Sequence, residues 1–172
     1  MTNNVIKKRI MYLSGEDFYL FCYSMFVVLD VLGCHGGKVF RDYRKLAFLI
    51  NIMNDEKLIY ILNSEHINTY DQEYLYSSYS NGLMKRSEIL KLIFTLEKKG
   101  FVTLSRGKTN QEIDVSLDKA SIPGSFFDQN VFSVEYDHVK TIKKSVPKLN
   151  SLTLDTMLKK IYADKGVKTW EI

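Results

Sequence analysis

With 172 residues, of which 45% are apolar and 13% aromatic, the chain is long enough to bury a core, too apolar to be disordered, and of a length that favours one domain. No run of 18 uncharged apolar residues occurs, because Phe18 to Leu32 is interrupted by Asp30, so no membrane span is expected. Two cysteines, Cys22 and Cys34, exclude a disulfide framework and a four-cysteine zinc site, and a reduced cytoplasmic protein is the expectation. The net charge of +4 is small but uneven. Lys85, Arg86, Lys91, Lys98, Lys99, Arg106 and Lys108 face only Glu88 and Glu97 within their stretch, whereas Asp55 to Glu73 holds five acids against Lys57. That asymmetry permits a polyanion or an acidic partner beside the basic stretch without requiring one.

In chain order, residues 1 to 12 carry V-I-K-K-R-I-M-Y, read as a basic arm in preference to a short strand; no cleavage site follows, so a secretory signal is not expected. Ser14 with Asp17 resembles a capping box and opens a helix from about Glu16 to Leu32. Its apolar residues lie nearly all round, which predicts burial on most sides, within the domain or against another chain. Phe18, Phe21 and Met25 are therefore candidate partner contacts. Gly33-Cys34-His35-Gly36-Gly37 ends that helix as a turn. With only His66 and His138 elsewhere, neither in a ligand pattern, the Cys-His pair is read as a loop rather than a metal or nucleophile site.

Asp42 is expected to cap a second helix, Y-R-K-L-A-F-L-I-N-I-M, with Arg44 and Lys45 facing water. A third helix covers Lys57 to Leu62. From Asn63 to Gly82 the chain is polar and tyrosine-rich and reads as a connector ending in a turn at Ser80-Asn81-Gly82. Its Tyr74, Tyr76 and Tyr79 are candidate partner contacts. A stacking platform for single-stranded nucleic acid is disfavoured, because the neighbours are Asp71 and Glu73 rather than lysines and arginines.

Ser87 is then expected to cap a helix whose apolar residues Ile89, Leu90, Ile93 and Leu96 keep helical spacing up to Gly100. Val102, Leu104, Ile113, Val115 and Leu117 switch to a period of two, and R-G-K-T-N-Q between them has the composition of a hairpin loop. A helix feeding directly into a hairpin is the sequence form of a recognition helix and its wing. Lys85, Arg86, Lys91, Lys98, Arg106 and Lys108 are the candidate nucleic-acid contacts. Glu88 and Glu97 on the helix weaken any case for base reading and leave nonspecific phosphate contact to Arg106 and Lys108. Beyond Ile122-Pro123-Gly124 a helix is expected from about Gln129 to Ser145, stopped by Pro147. A last one starts at Ser151 or Thr153, with Leu154, Met157, Leu158 and Ile161 in one stripe. The lysines of this tail are read as a solvated face.

Nucleotide-binding, metalloprotease and hydrolase motifs are missing, and the fragment Glu97-Lys98-Lys99 falls in a helix, where Glu97 and Lys99 diverge by about 200°. No catalytic residue, metal ligand or cofactor site is assigned, and a non-enzyme is expected. The overall expectation is an α+β, mostly α-helical winged helix-turn-helix with a small hairpin wing: an N-terminal arm and apolar helix (1–40), a winged-helix core (41–117) and a C-terminal helical extension (118–172) in one domain.

The succession D-Y-R-K-L-A-F-L-I-N-I-M, S-S-Y-S-N-G-L and R-S-E-I-L-K-L-I-F-T-L-E-K-K-G-F-V-T-L with a hairpin resembles the small middle-component subunits of ABC-three-component systems, the bacterial anti-phage group that includes Lamassu. The resemblance covers roughly residues 15 to 117 and consists of apolar patterns. Many relatives read G-P before Tyr or Ser where this chain has Y-S-N-G-L. It implies a non-enzymatic accessory subunit, similar in role to the winged-helix elements on SMC-type ATPases, with an SMC-like ATPase and an effector nuclease as partners in a defence complex. A dimeric DNA-binding regulator is the alternative.

Overall fold

The computed structural model describes residues 17–169; the expected arm, the cap at Ser14 and the side chain of Phe18 lie outside the described set. Among the described residues, six α-helices and one two-stranded antiparallel sheet follow one another as α1 (Asp17–Val31), α2 (Arg44–Met53), α3 (Glu56–Asn63), α4 (Thr69–Lys98), β1 (Val102–Arg106), β2 (Ile113–Leu117), α5 (Ser133–Ser145) and α6 (Leu154–Ile161). Short 3₁₀ turns at Lys119–Ser121, Gly124–Phe127 and Ala163–Lys165 join the later pieces. No helix among the described residues is long and apolar enough to cross a membrane.

Helix α1 is the centre of the core. Every residue from Cys22 to Leu29 is buried, and the cover comes from this chain itself. Tyr23 stacks on Phe126 at 4.7 Å between ring centroids and meets Phe132 at 4.8 Å, while Phe26 takes the edges of Phe101 and Phe126. Burying each large apolar side chain is worth roughly 1.5–3 kcal/mol, so the 3₁₀ turn at Gly124–Phe127 and α5 supply what a sequence so apolar demands. Tyr136 of α5 adds a polar fix by donating to Asp30 Oδ2 at 2.8 Å, and Lys119 pairs with the other oxygen at 2.7 Å.

The turn after α1 brings the chain back along the hairpin. Phe40 exchanges both backbone hydrogen bonds with Val115, at 2.7 and 2.9 Å, and Leu117 N–H donates to Cys34 O at 2.7 Å. The Cys-His turn is thus a third backbone segment beside the sheet. Strands β1 and β2 pair from Val102 opposite Leu117 to Arg106 opposite Ile113, and Val102, Val115 and Leu117 are buried as the alternation predicts.

Helix α3 is capped by Asp55, which accepts from Lys57 N and Leu58 N, one residue earlier than the sequence suggests. Helix α6 begins after Thr153, which accepts from Thr156 N, and its stripe of Leu154, Met157, Leu158 and Ile161 is buried as expected. Helix α5 starts at Ser133, four residues later than expected.

The largest departure is α4. The sequence predicts a connector, a turn at Ser80-Asn81-Gly82 and a new helix capped by Ser87; one helix of 30 residues runs through all three. Its cap is Asn68, accepting from Asp71 N at 2.8 Å, and Ser87 is an exposed mid-helix residue. Gly82 is present because of packing. A Cβ built there would lie 2.2 Å from Cδ1 of Phe48, whose buried ring stacks on Tyr79 and meets the ring of Tyr162. The glycine lets α2 approach α4, and it breaks no helix. At the far end Gly100, at φ 78°, takes the left-handed position expected of it, with Gly100 N–H bonded to Glu97 O and Phe101 N–H to Leu96 O.

Candidate functional site

The start of α2 and the hairpin loop form a cluster of charges. Asp42 adopts φ 64°, a left-handed conformation that Asp tolerates better than most residues, and so turns the chain into α2. Its backbone N–H donates to Asp114 Oδ1 at 3.0 Å. Its carboxylate accepts from Arg44 N at 3.1 Å and takes the Arg44 guanidinium through two nitrogens, at 2.9 and 2.6 Å. It therefore caps α2 as expected, from one position earlier than the assigned cap, Tyr43. Arg44 Nη1 reaches on to Gln111 Oε1 in the hairpin loop. Beside it Arg41 holds Glu112 through two parallel bonds of 3.2 and 3.1 Å, and Glu112 also accepts from Lys108 N. Arg41 with its neighbours holds the Glu112 carboxyl below its ordinary range.

Arg44 and Lys45 are both buried, which corrects the expectation that they face water. Their neighbours explain it. Arg44 is neutralised by Asp42, whereas Lys45 Nζ, wholly buried, donates to Leu149 O at 2.7 Å and sits 4.4 Å over the ring of Phe40. Burial pushes the Lys45 ammonium down to about 7. Arg41 N–H bonds Asn150 O in parallel, so residues 149 and 150 are clamped to the start of α2. A cleft of about 490 Å³ opens next to this cluster, lined by Arg41, Arg44, the loop from Thr109 to Glu112, and Thr153 to Asp155. Its arginines already hold carboxylates, so it offers polar contacts and little free positive charge.

The candidate nucleic-acid contacts do not converge on one face. Lys85 is half-exposed, paired with Glu88 at 3.3 Å and 5.6 Å from the ring of Phe21. Arg86 is half-buried on the side of α4 facing Arg44, and desolvation, helped by the Arg44 charge, lowers its pKa. Lys91 and Lys98 are exposed further along α4; Arg106 and Lys108 are exposed on the hairpin. Among the candidate partner contacts, Met25 and Tyr79 are corrected: both are interior, Met25 sealed within α1 and Tyr79 stacked on Phe48. Phe21 is half-buried against the core. Tyr74 is partly exposed, donates to Asp55 Oδ2 at 2.5 Å and carries Lys57 Nζ 4.4 Å above its ring; Tyr76 is exposed.

Both thiols are buried and their pKa values raised by desolvation, to about 12 for Cys22 and about 11 for Cys34, so neither is a thiolate at neutral pH. Among the described residues no group of three or more His, Cys, Asp or Glu side chains is placed to hold a metal ion.

Asp42, Lys45 and Glu112 were absent from the sequence-based candidates. Their local pattern, R-D-Y-R-K before an apolar run, is that of a capped, solvent-facing helix start, and the partners that bury them lie about 70 to 100 positions away. Only the placement of Glu112 next to an alternating strand, with Arg41 as the complementary charge, hints at the pairing.

The class the structure defines is an α+β, mostly helical fold with one small antiparallel hairpin packed on its helices. No protein-family model, curated protein or solved structure matches the chain.

Proposed function

We propose that this chain is a non-enzymatic winged-helix accessory subunit that bridges an SMC-like ATPase and an effector nuclease in a bacterial anti-phage or anti-plasmid defence complex. The observation that carries the winged-helix part is the order of elements: α1, a backbone segment paired to the hairpin at Phe40, α2, α3, the long α4 and then the hairpin itself. The resemblance of the 15–117 stretch supplies the system and the partners. The apolar α1 no longer bears on partners, since this chain covers Cys22 to Leu29 by itself; the bridging role rests on the exposed hairpin. Co-expression with the products of adjacent genes tests the proposal: co-purification of an SMC-like ATPase and an effector with the chain is expected. A stable chain that captures neither overturns it.

A second reading, nonspecific contact with duplex DNA, is favoured by one observation. Arg106 and Lys108 project from the hairpin into solvent, and neither side chain forms an ion pair among the described residues. If they meet phosphates, Arg106→Ala with Lys108→Ala weakens duplex binding regardless of sequence and flattens the dependence of log K on log salt by about 0.9 per lost contact. A salt series that leaves slope and affinity unchanged excludes the hairpin as a phosphate contact.

A further inference from the structure

The outer face of α4 carries a seam. Tyr76, Ser80, Leu83, Ser87, Leu90 and Phe94 follow one another at alternating spacings of four and three, the spacing at which two helices pack side by side. At about 100° per residue, the 18 positions from Tyr76 to Phe94 make five whole turns, so the two aromatics lie on one line about 27 Å apart. Among the described residues the ridge of the seam is open: Tyr76 is 48% and Phe94 46% exposed and Ser87 is exposed, while Ser80 is partly buried and Leu83 and Leu90 lean partly onto the core. Met84, 69% exposed, flanks its middle.

From the reciprocity of this seam we infer that its occupant is the α4 helix of a second copy of this chain, packed antiparallel about a two-fold axis passing near Lys85. Reversal about position 85 sets Tyr76 against Phe94 of the second copy, Ser80 against Leu90 and Leu83 against Ser87. Each leucine then meets a serine, and the two ends close with aromatic pairs. Parallel packing would instead oppose serine to serine and leave gaps at two levels. Charge points the same way. On one flank of the seam, about 40–60° round the helix, Glu73 lies in the early turns and Lys91 and Lys98 in the late ones, so the antiparallel copy brings Lys98 beside Glu73 at both ends, with Glu97 on the other flank. Because the arrangement is two-fold, the surface is used up by one partner and the assembly closes at two chains. The inference stands on the seam alone and does not depend on the proposed defence complex.

Sedimentation of the purified full chain is expected to give twice the 20.0 kDa chain mass. Phe94→Glu opposes a carboxylate to Tyr76 of the other copy and is expected to convert the dimer to monomer with the circular dichroism spectrum unchanged. Adding Tyr76→Lys restores the dimer, because the new ammonium meets the new carboxylate across the axis. Ser87→Lys, on an exposed position near the centre of the seam, is expected to give monomer as well and decides the matter if Phe94→Glu does not fold. A monomeric wild-type chain overturns the inference. So does a dimer that survives both single substitutions, or a folded Phe94→Glu monomer that Tyr76→Lys fails to rescue.

Discussion

Between pH 7 and pH 8.5 the contribution of Lys45 to the stability of the folded chain rises with pH by up to about 1.4 kcal/mol per unit, roughly 2 kcal/mol in all, and Lys45→Met removes that contribution. The cause is the wholly buried ammonium of Lys45, whose pKa burial lowers to about 7. An unfolded lysine keeps its proton to about pH 10.4. Below pH 7 both states hold the proton and the slope from this group is zero. Above pH 7 the folded chain releases it while the unfolded chain retains it, so stability climbs as pH rises. The two thiols act in the opposite sense. Cys22 and Cys34, raised to about 12 and about 11, stay protonated in the fold while an unfolded thiol ionises near pH 8.5, so their contribution is complete below that pH and is lost as pH rises further. Lys45 leads the rise just above pH 7, Lys165, whose pKa desolvation also lowers, acts in the same sense, and the thiols oppose both as the pH nears 8.5. Urea titrations at several pH values measure this directly. The comparison that matters is the wild-type minus Lys45→Met difference. A Lys45→Met variant that keeps the same rising limb sinks the assignment.

Gly82→Ala is expected to destabilise the chain by about 2–3 kcal/mol, although alanine is the better helix former by about 1 kcal/mol. The new methyl would lie 2.2 Å from Phe48 Cδ1 and 2.5 Å from Cε1, distances at which the ring must move. It has nowhere to go, being wedged between Tyr79 at 5.9 Å and Tyr162 at 6.0 Å. Thermal unfolding measures the loss. Phe48→Leu in the same chain is expected to return part of it, because the smaller side chain vacates the space the methyl needs. A Gly82→Ala protein as stable as wild type would mean that the interhelical approach is looser than this packing implies.

How much of this was legible in the sequence depends on whether the deciding contact is local. The hairpin, the left-handed Gly100 and the stripe of α6 were readable because a period of two, a helix stop and a 3–4 spacing are each written within a few residues. Ser80-Asn81-Gly82 and Ser87 were misread for the same reason: these residue types ordinarily make turns and caps. What overrides them, the face of Phe48, arrives from α2 more than 30 positions away. Lys45 shows the converse. A charged residue beside an apolar run is ordinarily solvated, and only the return of Leu149, over a hundred positions later, supplies its acceptor. The apolar α1 was read correctly as buried, but a single chain's sequence does not say whether its cover comes from within or from a neighbour. Of the candidate contacts, the hairpin cations and Tyr76 are on the surface as expected. Met25 and Tyr79 are interior because their helices are embedded more deeply than one apolar face requires.

Gly82 also sets the mechanics of α4. A glycine two-fifths of the way along a 30-residue helix would ordinarily be its point of easiest bending. Here the aromatic ring pressed against it removes that freedom, so the helix behaves as a single strut about 45 Å long. A push on the hairpin at one end is then carried as displacement to the tyrosine-bearing first turns at the other, instead of being absorbed at the middle.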